Sequence, residues 1–155
     1  MEELLACALL YRAGIFPAGP YRETLDFLFR EDPEDELLLE LEWKAKDMEG
    51  SVALLQDICA RRTEQFSAER FGRMLMEGLR VVFEEEGMDL RDFARRAYEL
   101  WGLLPEPLRQ EQPFWTLCYA DDPLSWGDEA QTRELYRDML GFYQQGAALA
   151  GDHLG

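Results

Sequence analysis

Ser67-Ala68-Glu69-Arg70-Phe71-Gly72-Arg73-Met74-Leu75-Met76-Glu77-Gly78-Leu79-Arg80-Val81-Val82-Phe83-Glu84-Glu85-Glu86-Gly87 places Phe71, Leu75, Leu79, Val82 and Phe83 at steps of three and four. That spacing puts the apolar side chains on one stripe of an α-helix and leaves charged residues on the other faces. Ser67 stands where a hydroxyl can cap the first turn, and Gly87 where a left-handed residue can end the last. A strand would need apolar residues at every second position, and this stretch has no such alternation.

The same period extends outward in both directions. Upstream, Glu3 to Arg12 is apolar at Leu5, Leu9 and Leu10, with Gly14 placed as a C-terminal cap. Pro20 suits the first position of a second helix running to Leu28. Asp32-Pro33-Glu34-Asp35-Glu36 reads as the start of a third, with Asp32 as cap and Leu37, Leu38, Leu41, Ala45 and Met48 on one side. Gly50-Ser51 opens a fourth, carrying Val52, Leu55, Ile58 and Cys59. Downstream, Asp89 caps a sixth with Phe93, Ala97, Tyr98 and Trp101 inward and Gly102 closing it. After proline-rich chain from Pro105 to Pro113, Asp128 and Gln131 form a capping-box pattern for a final helix through Leu135, Met139 and Phe142. The stretch with the most strand-like look, Thr116 to Ala120, is short. The sequence predicts an all-α single domain over residues 1–143, with about six to eight helices packed as antiparallel hairpins. Residues 144–155, rich in alanine and glycine, are expected to fray.

The 155 residues hold 32 Asp and Glu against 16 Lys and Arg, a formal net charge of -16. Hydrophobic residues make up 47% and aromatic residues 12%, enough for a core, so the charge is not a mark of disorder. An acidic excess of this size repels nucleic acid and anionic membrane and attracts basic partners. The charge is uneven. Residues 1–60 hold 14 acids and 5 bases, residues 61–104 hold 9 and 8, and residues 105–155 hold 9 and 3. The arginines of the middle section are expected to pair with the acidic ends. No apolar run approaches the ~20 residues of a membrane span, and Glu2 and Glu3 stand where a signal peptide would be basic, so a cytoplasmic location is expected.

Catalytic and metal chemistry find little support. Cys7, Cys59 and Cys118 are widely separated, lie among apolar neighbours and form no Cys-x-x-Cys pair, so each reads as a small buried hydrophobe. His153, the single histidine, lies near the C-terminus. Ser51, Ser67 and Ser125 lack a nucleophile elbow or base, and Ser51 and Ser67 read as helix caps. Asp121, Asp122 and Asp128 lack the alternation, central glycine and distal glutamate of a calcium loop, and Pro123 interrupts them. No cofactor, metal or catalytic residue is assigned.

The least generic segment is Pro113-Phe114-Trp115-Thr116-Leu117-Cys118-Tyr119-Ala120-Asp121-Asp122-Pro123-Leu124-Ser125-Trp126-Gly127-Asp128. Rigid rings beside carboxylates on irregular backbone suit a recognition surface. The competing reading is a loop pinned to the core by Trp115, Tyr119 and Trp126, with Asp122 and Asp128 serving turns and a cap. Glu84, Glu85 and Glu86 end a helix where the dipole disfavours negative charge, which either a solvated surface or a basic partner would accommodate. The partner-binding candidates are therefore Trp115, Tyr119, Asp121, Asp122, Trp126 and Asp128, with Glu84, Glu85 and Glu86.

Tyr98-Glu99-Leu100-Trp101-Gly102-Leu103-Leu104-Pro105-Glu106, Pro113-Phe114-Trp115 and Ala120 to Asp128 together resemble a small, uncharacterised bacterial family. That family is similar to the acidic, mainly helical immunity proteins of polymorphic toxin systems. The resemblance covers about the last 60 residues, and the first 90 match in style only. It implies a toxin as partner and brings no catalytic residues. The expectation is a non-catalytic acidic protein that neutralises a basic protein partner. The alternative is a helical adaptor or self-associating scaffold without a toxin partner.

Overall fold

Helix α1 (Glu2–Arg12) has little polar surface to offer water, because Leu4, Leu5, Ala6, Ala8, Leu9 and Leu10 are all buried. A helix apolar around its whole circumference is stable only when neighbours enclose it. In the computed structural model, which describes residues 1–44, 46–61 and 66–144, those neighbours are α2 (Gly19–Glu31), α4 (Met48–Arg61), α5 (Ala68–Arg80) and α6 (Leu90–Leu103). The described residues also form α3 (Glu36–Trp43), two single turns, α7 (Glu106–Arg109) and α8 (Thr116–Tyr119), and α9 (Glu129–Leu140), with no strand among them. The chain is an all-α single domain around one core. Of the expected frayed tail, all but Gln144 lies outside the described residues.

The capping signals fix most helix starts. Ser67 accepts the Arg70 N–H at 3.1 Å, Asp89 accepts that of Asp92, and Asp128 accepts that of Gln131 at 3.0 Å. The carboxylate of Glu2 in turn accepts the Ser67 N–H at 3.0 Å, tying the start of α1 to the start of α5. Burial pushes the Glu2 carboxyl up. Hydrogen bonds from the backbone of Ser67 and of Glu2 itself, with the N-terminal ammonium, outweigh it and leave the group below its ordinary value.

Around α3 the sequence expectation needs correction. Asp32 does not cap α3; it ends α2, donating its N–H to the Leu28 carbonyl at 3.1 Å. Asp35 is the cap, accepting from Leu37 N–H at 2.9 Å and from Leu38 N–H. The helix stops at Trp43, so the stripe does not reach Met48, which begins α4; Ala45 lies outside the described residues. Ser51 is not a cap either. Asp47 takes that part, accepting the Gly50 N–H at 3.0 Å, while Ser51 is buried within α4 and donates its hydroxyl to the Lys44 carbonyl.

Helices α2 and α3 bring two carboxyls together. Burial first, then a hydrogen bond and charge repulsion from Asp26, raise Glu42 above the usual glutamate value. Folded protein therefore holds this proton more tightly than the unfolded chain, and stability falls as pH rises from the ordinary glutamate pKa through the folded one. Glu42→Gln should stabilise the protein at neutral pH by about half a kcal/mol, a size limited by solvent screening. Thermal melts at pH 7 and at pH about 3.5 check it, because the gain should disappear once the wild-type carboxyl is protonated.

The end of α5 widens into a π-turn, Val81–Glu85, followed by Gly87 at φ +65°. Val82 is buried there, and Phe83 packs its ring 4.9 Å from Phe93 and 5.8 Å from Tyr136. The proline-rich chain is fastened to the end of α6 by Arg109. Its guanidinium donates to the Gly102 and Leu104 carbonyls and lies over the Trp101 ring, whose indole N–H donates to the Arg109 carbonyl. These bonds satisfy carbonyls that a helix end leaves open. Gly102 does not close α6, which continues through Leu103.

Of the cysteines, only Cys59 is fully buried; Cys7 and Cys118 are half-buried, a correction to the expectation for all three. Burial pushes each thiol up, that of Cys59 to about 11, so the thiolate needed for nucleophilic or redox chemistry is scarce at neutral pH.

Candidate recognition surface

Residues 113–128 form turns, the single turn α8 and a 3-10 turn, Asp122–Trp126, in place of the expected irregular loop. Pro123 is the second residue of the 3-10 turn, and the Ser125 hydroxyl donates to the Asp122 carbonyl at 2.7 Å. Gly127 follows at φ +81°, a left-handed conformation that strains any other L-residue. The Asp128 N–H then returns to the Pro123 carbonyl, and its carboxylate caps α9. Asp128 is thus engaged by the fold.

The inner side of this segment is filled by Phe114, Leu117, Ala120, Pro123 and Leu124, all buried. Phe114 stacks on Phe71 of α5 at 5.9 Å. Trp115 and Trp126 do not pin the segment to the core: Trp115 is 50% exposed and Trp126 64%. Tyr119 is half-buried, edge-on to Trp115 at 6.2 Å. Medium-sized apolar residues already fill the three-residue rhythm of the turns, so the larger indoles are left outside.

Asp121 lines a groove of about 500 Å³ between this segment and the outer face of α6, with Leu124, Ser125, Arg91, Arg95 and Tyr98. Tyr98 is 51% exposed, not inward as the periodicity suggests. Burial, and then the charge of Asp122, raise the Asp121 carboxyl above its ordinary value; its own backbone N–H lowers it only in part. Asp122 is exposed. The groove is mixed in charge, with Asp121 on one wall and Arg91, Arg95 and Glu99 on the α6 wall. Sequence reasoning missed Arg91 and Arg95, although their spacing with Tyr98 along one face of α6 marks them.

The glutamate cluster lies at the π-turn. Arg80 holds Glu77 with two hydrogen bonds, at 2.7 and 3.0 Å, and reaches Glu85 at 3.2 Å and Glu84 at 3.5 Å. Two of the three carboxylates therefore share an internal cation, which offsets their unfavourable position at a helix C-terminus. Glu86 is exposed. Among the described residues the other paired middle-section arginines also find local partners, Arg73 with Glu69 and Arg95 with Asp92, and Arg61 reaches one turn back to Asp57 in the acidic section 1–60. Neighbours three or four apart on a helix are closer than remote segments. Tyr136 links the two candidate regions. It packs edge-on against Phe83, the residue before Glu84, and burial first, then the charge of Asp121, raises its phenol above the ordinary value.

Among the described residues no group of three or more His, Cys, Asp or Glu is placed to hold a metal ion, and no helix is long and apolar enough to cross a membrane. The fold and this surface define an all-α single-domain protein that presents two indoles beside exposed carboxylate. Comparison with family models, with curated proteins and with solved structures gives no match.

Proposed function

We propose that this protein is a non-catalytic, cytoplasmic binding protein that neutralises a basic protein partner, with a toxin domain as the partner class. One observation carries the reading: Trp115 and Trp126 stand outside a segment whose inner side is already filled, beside Asp122 and the half-buried Asp121. Exposed indoles are costly to leave in water, and tryptophan is the residue type most enriched at binding hot spots. Net charge of -16 would steer a basic partner toward the surface before the rings engage. Asp121, Asp122 and Glu86 are the carboxylates available to it. Glu84 and Glu85 contribute less, because Arg80 already compensates them.

Steering acts on association more than on dissociation. Replacing Asp121 and Asp122 together by asparagine should slow association with the basic partner several-fold at low salt and leave the dissociation rate nearly unchanged. Surface plasmon resonance separates the two rates. An unchanged on-rate would remove the electrostatic part of the proposal.

A further inference from the structure

Helix α3 is apolar on two sides. Leu38 and Leu41 are buried, yet Leu39 is 45% exposed and Trp43 84% exposed on the opposite side. Glu36, Leu39, Glu40, Trp43 and Lys44 fall at steps of three and four on one outward face, and together they line a shallow groove of about 420 Å³. Capping by Asp35 and the packing of Leu38 and Leu41 fix the rotation of α3, so this exposure is built into its position. The surrounding hairpin, residues 19–50, holds eleven acids against four bases. Lys44 leans on Glu40 at 3.6 Å and leaves Glu36 free of any ion pair among the described residues.

We propose that the Leu39–Trp43 face of α3 is a second docking surface, one that takes a basic amphipathic helix. An apolar strip on a short helix matches the narrow apolar face of a partner helix, and the lysines or arginines flanking that face would meet the acidic rim. Charge complementarity selects this occupant. A second copy of the chain would set the same acidic rim against itself, and an anionic membrane would be repelled in the same way. This surface goes beyond the proposed function, since it lies in the N-terminal acidic section and uses none of the residues assigned to recognition above.

The test uses the full chain and a fluorophore-labelled Leu/Lys amphipathic peptide of about 18 residues, or five helical turns, with fluorescence anisotropy as readout. The wild type should bind it at low salt. The double variant Leu39→Ala/Trp43→Ala should bind about tenfold or more weakly, and Trp115→Ala/Trp126→Ala should bind within about twofold of wild type. A Leu/Glu helix of the same geometry should not bind. All four replaced side chains are exposed or half-exposed, so circular dichroism should find both variants as folded as the wild type. Equal binding by the α3 variant overturns the proposal. So does a concentration-dependent dimer in sedimentation that Trp43→Ala abolishes, because the strip would then serve self-association. Loss of binding in the Trp115/Trp126 variant alone would instead place the peptide on the other surface and leave α3 without this part.

Discussion

Phe93→Ala should cost about 3–5 kcal/mol of folding free energy, the range for an aromatic ring removed from a closed core. Phe93 is fully buried, with the rings of Phe83 and Tyr136 each 4.9 Å away, the Tyr136 ring nearly perpendicular to it. Three elements meet at these rings: the π-turn, α6 and α9. Ala97, one turn further along α6, is buried and too small to fill the space the ring would leave. Against a typical total stability of about 5–15 kcal/mol, such a loss leaves the variant marginal. Urea unfolding followed by circular dichroism measures it. Tyr136→Phe provides the contrast. The Tyr136 hydroxyl is buried and has no hydrogen-bond partner among the described residues, so deleting the oxygen should be neutral or slightly stabilising. A large loss in Tyr136→Phe would mean that the hydroxyl has a partner, such as ordered water, and that the cluster is partly polar.

Trp115→Ala with Trp126→Ala should weaken binding of the basic partner by about a hundredfold or more, while the melting temperature stays close to that of the wild type. The first part follows from hot-spot energetics, in which one well-placed tryptophan contributes about 2 kcal/mol or more. The second follows from exposure: neither indole fills the core, so neither removal opens a cavity. This combination separates recognition from stability. A loop pinned by its tryptophans would lose both, and calorimetric titration beside thermal melting distinguishes the two outcomes. Because each indole is exposed, their effects should show mainly in the dissociation rate, whereas the aspartates act on association.

The sequence carried the helical architecture well where a single polar residue precedes a clean apolar period. Ser67, Asp89 and Asp128 each cap the helix they announce. Around residue 33 the signal is doubled. Asp32 and Asp35 can both cap, and proline after Asp32 makes the earlier one look stronger. Only the hydrogen bond from Asp32 back to Leu28 decides that α2 is still ending there. A second kind of information was absent from the periodicity. In α3 the period put Leu37, Leu38 and Leu41 on one side, and Leu38 and Leu41 are buried there, but it did not tell that Leu39 and Trp43 would be left uncovered on the other side. Residues 113–128 present the same difficulty in another form. A chain of single turns has no long stripe, and the sizes of Phe114, Leu117 and Leu124 do not reveal that they displace the larger Trp115 and Trp126. The segment was legible as unusual; the direction of its rings was not. The spread of acidic charge was legible, but its local compensation at Arg80 depended on the π-turn that lets one guanidinium reach Glu77, Glu84 and Glu85.

In the proposed function, acidic charge and exposed tryptophan act together to hold a basic protein. Capture from the native lysate on immobilised wild-type protein and on the Trp115→Ala/Trp126→Ala variant, each at about 0.05 M and about 0.5 M salt, tests it most directly, since the higher concentration shortens the screening length to a few ångströms. The expected result is a basic protein, identified by mass spectrometry, that is held by the wild type at low salt, weakened at high salt and lost from the variant. A partner held equally at both salt concentrations and by both proteins would contradict it, and would point to an adaptor whose charge serves solubility.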